Sequence, residues 1–491
     1  TRSAMAADAD AQGDDASSEE SERLKGEGNK LFTEGHYPDA ITLYTQAIDA
    51  SPLNTALYTN RSLCHIKMET YGLAIADGTT ATELDPKCIK AYYRLGSAYM
   101  GLGKFKEARS NYRKACQLKP SDKDAALRLK ECDKEVKREA FEKAIMGDDG
   151  HDATPVSESV HIETIAVEES YDGPRLSWPI TPEFVKELTE HFRHQKSLHR
   201  RYVFEILREA ETILKRLPSV FDVPIPQGSS FSVCGDTHGQ FYDLLNIFNI
   251  NGWPGSENPY LFNGDFVDRG SFSFEVVLTM LAFKCLLPDH FHMTRGNHES
   301  KTMNKMYGFE GEVKHKYSEQ CFSYFSEVFN WLPLGCVLGG KVFIVHGGLF
   351  SRDDVTLDEL RAINRNREPP EEGLMSEMLW SDPQPQPGRS PSKRGVGLSF
   401  GPDVTQSFLE RNGLKLVVRS HEVKDAGYEV EAGGHLITVF SAPNYCDQMG
   451  NMGALLRFDH ECEWKAVQFD SVPHPPIRPM QYASMGSIFG F

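Results

Sequence analysis

Three short glycine-flanked blocks carry most of the chemistry that this sequence could perform. They are GDTHG at 235–239, GDFVDRG at 264–270 and GNHES at 296–300. Asp236 and Asp265 are 29 residues apart, and Asp265 and Asn297 are 32 apart, which is the length of a β-α-β unit. Each block can therefore lie at the end of a strand, where side chains of successive units converge. Aspartate, histidine and asparagine at converging strand ends are suited to a two-metal site that cleaves phosphoesters.

The elements that must position these blocks are short apolar strands alternating with helical stretches from about residue 176 onward. Further β-branched runs, at 342–345, 416–418 and 436–440, are each followed at once by polar residues. Site residues at the carboxyl ends of strands are typical of layered α/β and sandwich enzymes. We therefore expect two mixed sheets packed as a β-sandwich, with helices outside.

The overall composition excludes several classes of protein. The chain has 491 residues, of which 40% are hydrophobic and 25% charged, so two or three globular domains are expected. Its net charge of -17 argues against nucleic acid as the main partner. Ten scattered cysteines without a CxxC pair favour reduced thiols in the cytoplasm or nucleus. No apolar run is long enough for a membrane span, and we expect a monomer.

A period of 34 residues governs the first part of the chain. Alanine recurs at 40, 74 and 108, and proline recurs at 52, 86 and 120. Small residues let two helices approach closely, and proline ends each unit, so the period predicts helix–turn–helix repeats. It resembles three tetratricopeptide repeats over about 21–122, capped by a helix that ends near Met146. We therefore expect the fold class α + α/β, an all-α superhelix followed by a β-sandwich flanked by helices, the second part resembling a metallophosphoesterase.

Five residues on the first helices of the repeats should face the concave groove: Lys25, Asn29, Asn60, Lys90 and Arg94. Cations and amides in such a groove can hold a carboxylate through charge-assisted hydrogen bonds, although a solvated charged surface is the alternative. The spacing alone indicates an acidic peptide. The set resembles the dicarboxylate clamp of tetratricopeptide co-chaperones, which implies the acidic tail of heat-shock protein 90, or of heat-shock protein 70, as partner. Lys67 would add another cation.

The catalytic blocks resemble those of the phosphoprotein phosphatase family of serine/threonine phosphatases over roughly 176–480. GDTHG, GDFVDRG, GNHE, HGG, RSHE and SAPNYC occur in the family's order. The resemblance implies one metal ion held by Asp236, His238 and Asp265. It implies a second ion held by Asp265, Asn297, His346 and His421, with Asp265 bridging the pair. Oxygen and imidazole ligands without thiolate favour manganese, with iron, zinc or magnesium as alternatives.

The same resemblance assigns roles to residues beside the metals. His298 would be the general acid that protonates the leaving seryl or threonyl oxygen, and Asp268 would orient it and favour its charged form. Arg269 and Arg394 would clamp the phosphate, together with the ligands Asn297 and His421. Tyr445 would overhang the site and donate to the phosphate.

These observations predict five segments. They are a disordered tail with a tag remnant at 1–20, repeats and capping helix at 21–146, a linker at 147–175, the catalytic domain at 176–479, and a tail with an autoinhibitory helix at 480–491. Within the last segment, Tyr482, Met485, Ile488 and Phe489 have helix-like spacing.

The predicted function is hydrolysis of phosphoserine and phosphothreonine by metal-bound hydroxide, with phosphoproteins as substrates. The repeats would inhibit the site, with Glu69 mimicking phosphate near Arg269 and Tyr445, and a chaperone tail would release it. The alternatives are a metallophosphoesterase that acts on small phosphoesters and a co-chaperone scaffold.

Overall fold

The computed structural model describes the backbone of residues 2–146 and 155–483, and the side chains of 17–141 and 155–483. Contacts divide the chain into two compact units. Unit 1 is Thr1–Ala153 with Pro391–Val396, and unit 2 is Thr154–Ser390 with Gly397–Phe491. Within the described ranges, no helix has both the length and the hydropathy needed to cross a membrane.

Unit 1 consists of paired helices, which confirms the predicted repeats. Its helices are α1 Arg2–Thr33, α2 Tyr37–Ala50, α3 Thr55–Lys67, α4 Tyr71–Leu84, α5 Ile89–Gly101, α6 Phe105–Leu118 and α7 Lys123–Met146. Helix α1 includes residues 2–20, where the composition predicted a disordered tail. Alanine and glutamate have high helix propensity, and this stretch runs without a break into the first repeat helix, so the backbone continues as a helix.

The small residues of the 34-residue period lie where helices of a pair touch. A Cβ atom on Gly28 would stand 2.9 Å from the Tyr44 ring, and one on Gly96 would stand 2.9 Å from the Tyr112 ring. Both tyrosines are buried. The period therefore determines helix pairing because a large ring on one helix needs a small residue opposite it.

Unit 2 has two principal sheets, which confirms the predicted fold class. Its helices are α8 Val156–Ser159, α9 Pro182–Arg193, α10 Arg200–Lys215, α11 Phe241–Asn251, α12 Ser273–Leu286, α13 Lys301–Tyr307, α14 Phe309–Lys316, α15 Glu319–Asn330, α16 Leu357–Arg361, α17 Leu374–Trp380 and α18 Pro402–Asn412. Its strands are β1 Val220–Val223, β2 Ser230–Cys234, β3 Tyr260–Asn263, β4 Phe291–Thr294, β5 Gly335–Leu338, β6 Val342–Val345, β7 Asp382–Pro383, β8 Arg389–Pro391, β9 Leu398–Phe400, β10 Leu416–Arg419, β11 Tyr428–Glu431, β12 Leu436–Val439, β13 Gly453–Asp459 and β14 Trp464–Phe469.

The two large sheets pack face to face around an apolar core. One has six strands in the order β1-β5-β6-β10-β12-β11, and the other has five in the order β14-β13-β2-β3-β4. Phe231 and Leu261 of the second sheet share a buried cluster with Ile344 and Ile437 of the first. At one edge the sheets meet, because Asp236 forms a parallel bridge with Phe440. Each sheet also contains a parallel set of strands, so several carboxyl ends point toward this edge.

Much of the segment predicted as a linker, 147–175, packs on unit 2. Residues 147–154 lie outside the described ranges, but helix α8 begins at Val156. The Glu327 carboxylate accepts the Val156 backbone N–H at 2.5 Å, and Val160 and Ile162 are buried in the core. The acidic composition suggested a partly ordered, flexible linker, but valines and isoleucines within it are buried against the helical layer.

Overfilling one helix contact should destabilise unit 1. Gly96→Val places methyl groups against the Tyr112 ring, so we expect a loss of about 1–3 kcal/mol in the free energy of unfolding. Urea titration of the full-length chain, followed by circular dichroism, measures it. Gly26→Ala is the matched control, because its Cβ meets nothing within 4 Å, and it should not destabilise. Equal stability of the valine variant and the wild type would contradict the packing account.

Candidate active site

The meeting edge of the two sheets gathers the predicted metal ligands from five strands. Each side chain lies within three residues of a strand end, after β2, β3, β4, β6 and β10 respectively: Asp236, Asp265, Asn297, His346 and His421. All five are buried, as is His238. The structure thus brings together residues spread over almost 190 positions of the chain.

Three of these residues have left-handed backbone conformations. The φ angles of His238, Asp265 and His421 are 40°, 52° and 69°. This conformation costs residues other than glycine on the order of 1 kcal/mol or more, and it persists only where neighbouring groups hold the backbone. The sharp turns let the chain leave each strand and direct the side chain back over the sheet edge.

His238 presents one particular nitrogen to the carboxylates. Its Nδ1 lies 3.0 Å from the carbonyl oxygen of Val267, so Nδ1–H is the donor of that bond. Its Nε2 then lies 3.6 Å from Asp236 Oδ2 and 3.5 Å from Asp265 Oδ2. The backbone contact therefore selects the tautomer that leaves a lone pair toward the acids.

His346 is oriented in the same way on the other side of Asp265. Its Nδ1 donates to the carbonyl of Asn263 at 2.8 Å. Its Nε2 lies 2.9 Å from Asn297 Oδ1, 3.2 Å from Asp265 Oδ2 and 3.3 Å from His421 Nδ1. Two imidazoles, an amide oxygen and a carboxylate thus converge on one point.

The donor set fits two divalent cations. Asp265 belongs to two groups of convergent ligand atoms, one with His346 and His421 and one with His238 and His298. The second group contains the predicted acid His298 in place of the predicted ligand Asp236, whose Oδ2 lies 3.6 Å from His238 Nε2. Burial raises the pKa of Asp236 to about 7 and lowers the pKa of His238. Buried carboxylates that face neutral imidazoles form a site where bound cations would stabilise the charge. Oxygen and nitrogen donors without thiolate match the chemistry that the sequence predicted.

His298 is tied to Asp268 beside this group. Its Nδ1 donates to Asp268 Oδ2 at 2.8 Å. The other carboxylate oxygen of Asp268 accepts the Phe309 N–H at 2.9 Å, and Asn304 Nδ2 bonds both Asp268 and the His298 carbonyl. Burial raises the pKa of Asp268, and these hydrogen bonds oppose that rise. The arrangement directs His298 Nε2 away from Asp268, as a proton donor requires.

Glu299 is a site residue to which the sequence analysis assigned no role, although it is the last residue of the quoted GNHE block. Its carboxylate is fully buried and accepts three backbone N–H groups at 2.8 Å, those of Asp265, Phe266 and Gly296. It therefore binds the loop that carries Asp265 to the loop that carries Asn297. Burial, followed by the charge of Asp265, raises the pKa of Glu299 to about 8.

Arg419 is a second residue that sequence reasoning left without a role. Its fully buried guanidinium donates to the Gly347 carbonyl at 2.7 Å and to Asp382 Oδ1 at 2.9 Å. Gly347 directly follows His346, and His421 is two residues beyond Arg419. The guanidinium thus braces both histidine-bearing loops. The quoted RSHE block was the signal that could have identified it.

The predicted phosphate ligands have different surroundings. The Tyr445 ring lies 5.1 Å from the His238 ring, and its backbone N–H donates to Asn451 Oδ1 at 2.9 Å. Arg269 stacks on Tyr307, with Cζ 3.8 Å from the ring centroid. Arg394 lies in Pro391–Val396, which belongs to unit 1, and its phosphate role stays a prediction.

The predicted peptide clamp is partly assembled in unit 1. Asn60 Nδ2 donates to Asn29 Oδ1 at 3.0 Å. Burial lowers the pKa of Arg94, and both burial and the nearby Arg94 charge lower the pKa of Lys67. Cations whose charge is destabilised by burial, and for Lys67 also by a neighbouring cation, form a surface that an anionic ligand would stabilise.

The other two clamp cations and Glu69 have separate surroundings. Lys25 Nζ donates to Glu22 Oε1 at 2.6 Å, and Lys90 is exposed. Glu69 lies in the turn between α3 and α4 with a φ angle of 59°.

The C-terminal tail is described only as far as residue 483. Met480 is buried, and its backbone N–H donates to the Arg269 carbonyl at 2.7 Å. Met485, Ile488 and Phe489, which the sequence analysis placed on a docking helix, lie outside the described residues.

Comparison with known protein families matches both units. The calcineurin-like phosphoesterase family matches residues 230–425, and tetratricopeptide repeat families match 26–87 and 89–122. The family described as PPP5 TPR repeat region matches 129–222.

Individual relatives extend over nearly the whole chain. Serine/threonine-protein phosphatase 5 of Homo sapiens is 52% identical and covers 96% of this chain and 94% of its own length. Serine/threonine-protein phosphatase T of Trypanosoma brucei brucei is also 52% identical, over 96% of this chain and 99% of its own. The solved structure of a Saccharomyces cerevisiae protein serine/threonine phosphatase is similar at a TM-score of 0.60 and 42% identity. It covers 62% of this chain and all of its own.

Replacing one of the acceptor oxygens with which Glu299 joins the two loops should weaken metal binding. Glu299→Gln replaces one acceptor oxygen with a donor that faces backbone N–H groups, so we expect a drop of about 10–100-fold in metal affinity. Titration of the demetallated protein with Mn²⁺ measures this. Glu211→Gln, a buried carboxylate paired with Lys215, is the matched control and should bind metal normally. Unchanged affinity in the Glu299 variant would remove this role.

Proposed function

The chain belongs to the family of serine/threonine-protein phosphatases 5 and T, and from that premise we propose that the buried ligand cluster is the centre that hydrolyses phosphoserine and phosphothreonine. The observation that carries the proposal is Asp265, whose carboxylate takes part in both groups of convergent ligands. When bound, two divalent ions lower the pKa of a water molecule and polarise the phosphoryl oxygens. We propose manganese as the preferred ion.

The protein's own residues would supply three further functions. Arg269 would bind the phosphoryl oxygens with its planar guanidinium, with Asn297, His421 and Arg394 as further contacts. Tyr445 would cover the site above His238 and donate a hydrogen bond from its hydroxyl group to the phosphate.

The proton for the leaving group would come from His298. An alkoxide leaves poorly from phosphorus unless it is protonated as the bond breaks. The Asp268 carboxylate, anchored by Phe309 N–H and Asn304, would hold the imidazole in the tautomer and orientation for this transfer.

Family membership favours the first of the functions considered from sequence. The chain is a protein phosphatase, because relatives of that name match it over nearly its full length. The ten free cysteines support a reducing compartment, and we propose the cytoplasm and nucleus, with the chain as a monomer.

The repeat groove would bind the acidic carboxyl-terminal tail of heat-shock protein 90, with that of heat-shock protein 70 as the alternative. Asn29 and Asn60, joined by a hydrogen bond, and the mutually repelling Lys67 and Arg94 support an anionic ligand. A peptide that ends in aspartate supplies both a side-chain and a terminal carboxylate for these groups.

The same repeats would inhibit the phosphatase until the groove is filled. The Lys393 carbonyl, within the Pro391–Val396 segment of unit 1, accepts the Gly72 N–H at 3.0 Å. This segment also carries Arg394, a proposed phosphate ligand, and Glu69 lies three residues before Gly72. Engagement of the segment by a repeat hairpin would withhold Arg394 from substrate, and Glu69 would act as a carboxylate in place of phosphate.

The central test of the proposed chemistry is His298→Ala. We expect kcat on a phosphoserine peptide to fall by a factor on the order of 10²–10⁴, because the alkoxide then leaves without a proton. The fall in kcat should be much smaller on p-nitrophenyl phosphate, because its leaving group needs no proton. Steady-state kinetics with measured metal content check both expectations. An unchanged kcat on the peptide in metal-replete enzyme would exclude His298 as the acid.

The groove and the inhibition can be tested together. We expect a peptide that ends in acidic residues to bind the full-length chain and to raise its turnover of a phosphoserine substrate. Lys90→Ala and Arg94→Ala should each lower peptide affinity about tenfold or more, since a charge-assisted bond is lost. Calorimetry and parallel phosphatase assays measure binding and activation.

A peptide whose terminal carboxylate is amidated is the matched control and should bind weakly. Tight binding without any rise in turnover would leave the groove assignment standing and reject the inhibition.

A further inference from the structure

Residues 478–482, here called the C-terminal strap, lie against the loop that carries Asp268 and Arg269. The Ser271 hydroxyl donates to the Arg478 carbonyl at 2.6 Å, and the Met480 N–H donates to the Arg269 carbonyl at 2.7 Å. Further along, the Tyr482 ring lies 5.3 Å from the His315 ring of helix α14. The strap is therefore attached at both ends and at its middle to elements that border the phosphatase site.

Arg269 lies between the strap and an aromatic ring. Its guanidinium stacks on Tyr307 at 3.8 Å, and its Nη1 lies 3.9 Å from Met480 Sδ. Its backbone N–H donates to the Tyr307 carbonyl at 3.1 Å. Arg269 and Met480 are only 7% and 6% exposed, so both side chains are enclosed rather than lying loosely on the surface.

The backbone is strained at both Arg269 and Met480, and the contact between them helps to hold both strained conformations. The φ angles of Arg269 and Met480 are 68° and 55°. Such conformations at residues other than glycine persist only where surrounding contacts fix them, and they concentrate at functional sites. The hydrogen bond between the two main chains joins one strained residue directly to the other.

We propose that Met480 is a positioning residue for phosphate recognition, which holds the Arg269 guanidinium against Tyr307 in the orientation that binds the phosphoryl group. A free arginine side chain loses much rotamer freedom when it binds a ligand, and an arginine ordered in advance does not. Packing of the thioether on one side and the ring on the other supplies that order. The inference rests on the proposed phosphate-binding role of Arg269.

This role predicts a particular kinetic signature. Arg269 contacts the phosphoryl group in the bound substrate as well as in the transition state, so loss of its ordering should raise KM more than it lowers kcat. The effect should be equal for phosphoserine peptide and p-nitrophenyl phosphate, because the leaving group is not involved. Competitive inhibition by inorganic phosphate should weaken in parallel, and a general loss of folding would not produce that pattern.

The test compares Met480→Gly, Met480→Leu and wild type in the full-length chain. Glycine tolerates the left-handed backbone and so removes the side chain without adding strain. We expect the glycine variant to raise KM and the phosphate inhibition constant roughly three- to tenfold, with kcat within about twofold. Leucine restores the packing volume and should return both constants to within about twofold of wild type. Gln481→Ala, an exposed strap residue, is the matched control and should change neither.

Thermal unfolding and metal content establish that the variants are folded and loaded with metal. Ser271→Ala provides a second way to loosen the strap if the glycine variant does not fold.

Arg269→Lys is the reference variant and should raise the phosphate inhibition constant, whatever the strap variants do. If it does and the strap variants do not, the inference on Met480 is wrong. If Arg269→Lys has no effect either, the phosphate role of Arg269 itself fails.

Discussion

The buried carboxylate of Glu299 holds the two ligand loops of the site at a single point. It accepts three backbone hydrogen bonds, two from N–H groups of the Asp265 loop and one from Gly296, which directly precedes Asn297. Asp265 has a left-handed backbone and belongs to both groups of convergent ligands, so any drift of this loop would disturb both. A fully buried carboxylate with backbone donors is expensive to leave unsatisfied, which makes the arrangement rigid.

Buried hydrogen bonds also fix the residues around the ligands. Val267 and Asn263 carbonyls select the histidine tautomers, and Arg419 braces the loops of His346 and His421. Each of these partners is main chain or a fully buried side chain, so its position is determined by the sheets. The site is therefore preorganised by backbone geometry more than by contacts among the ligands themselves.

Under the proposed function, the two units would divide peptide recognition from phosphate chemistry. Unit 1 presents cations and amides from helices whose spacing is set by small residues opposite tyrosines. Unit 2 presents acids and imidazoles from strand ends. The first arrangement suits a flexible acidic peptide, and the second suits a compact phosphoryl group.

Local patterns predicted a large share of this molecule. The 34-residue period follows from helix contacts that recur with each repeat, so it predicted unit 1 from sequence alone. Glycine-flanked motifs likewise predicted that Asp236, Asp265 and Asn297 follow strand ends, because a sharp turn after a strand needs particular residues at fixed spacing. Composition was less reliable, since it averages over residues and missed Val160 and Ile162 within an acidic stretch.

Only the tertiary structure revealed the residues that act through distant partners. Glu299 and Arg419 lie inside recognised motifs, but their roles depend on which carbonyl or N–H group faces them across the fold. The contact of Met480 with Arg269 joins positions 211 residues apart, and no local pattern encodes such a contact. Sequence determined the ligand types and their order along the chain, whereas packing of the two sheets decided which atoms meet and which nitrogen of each histidine faces the site.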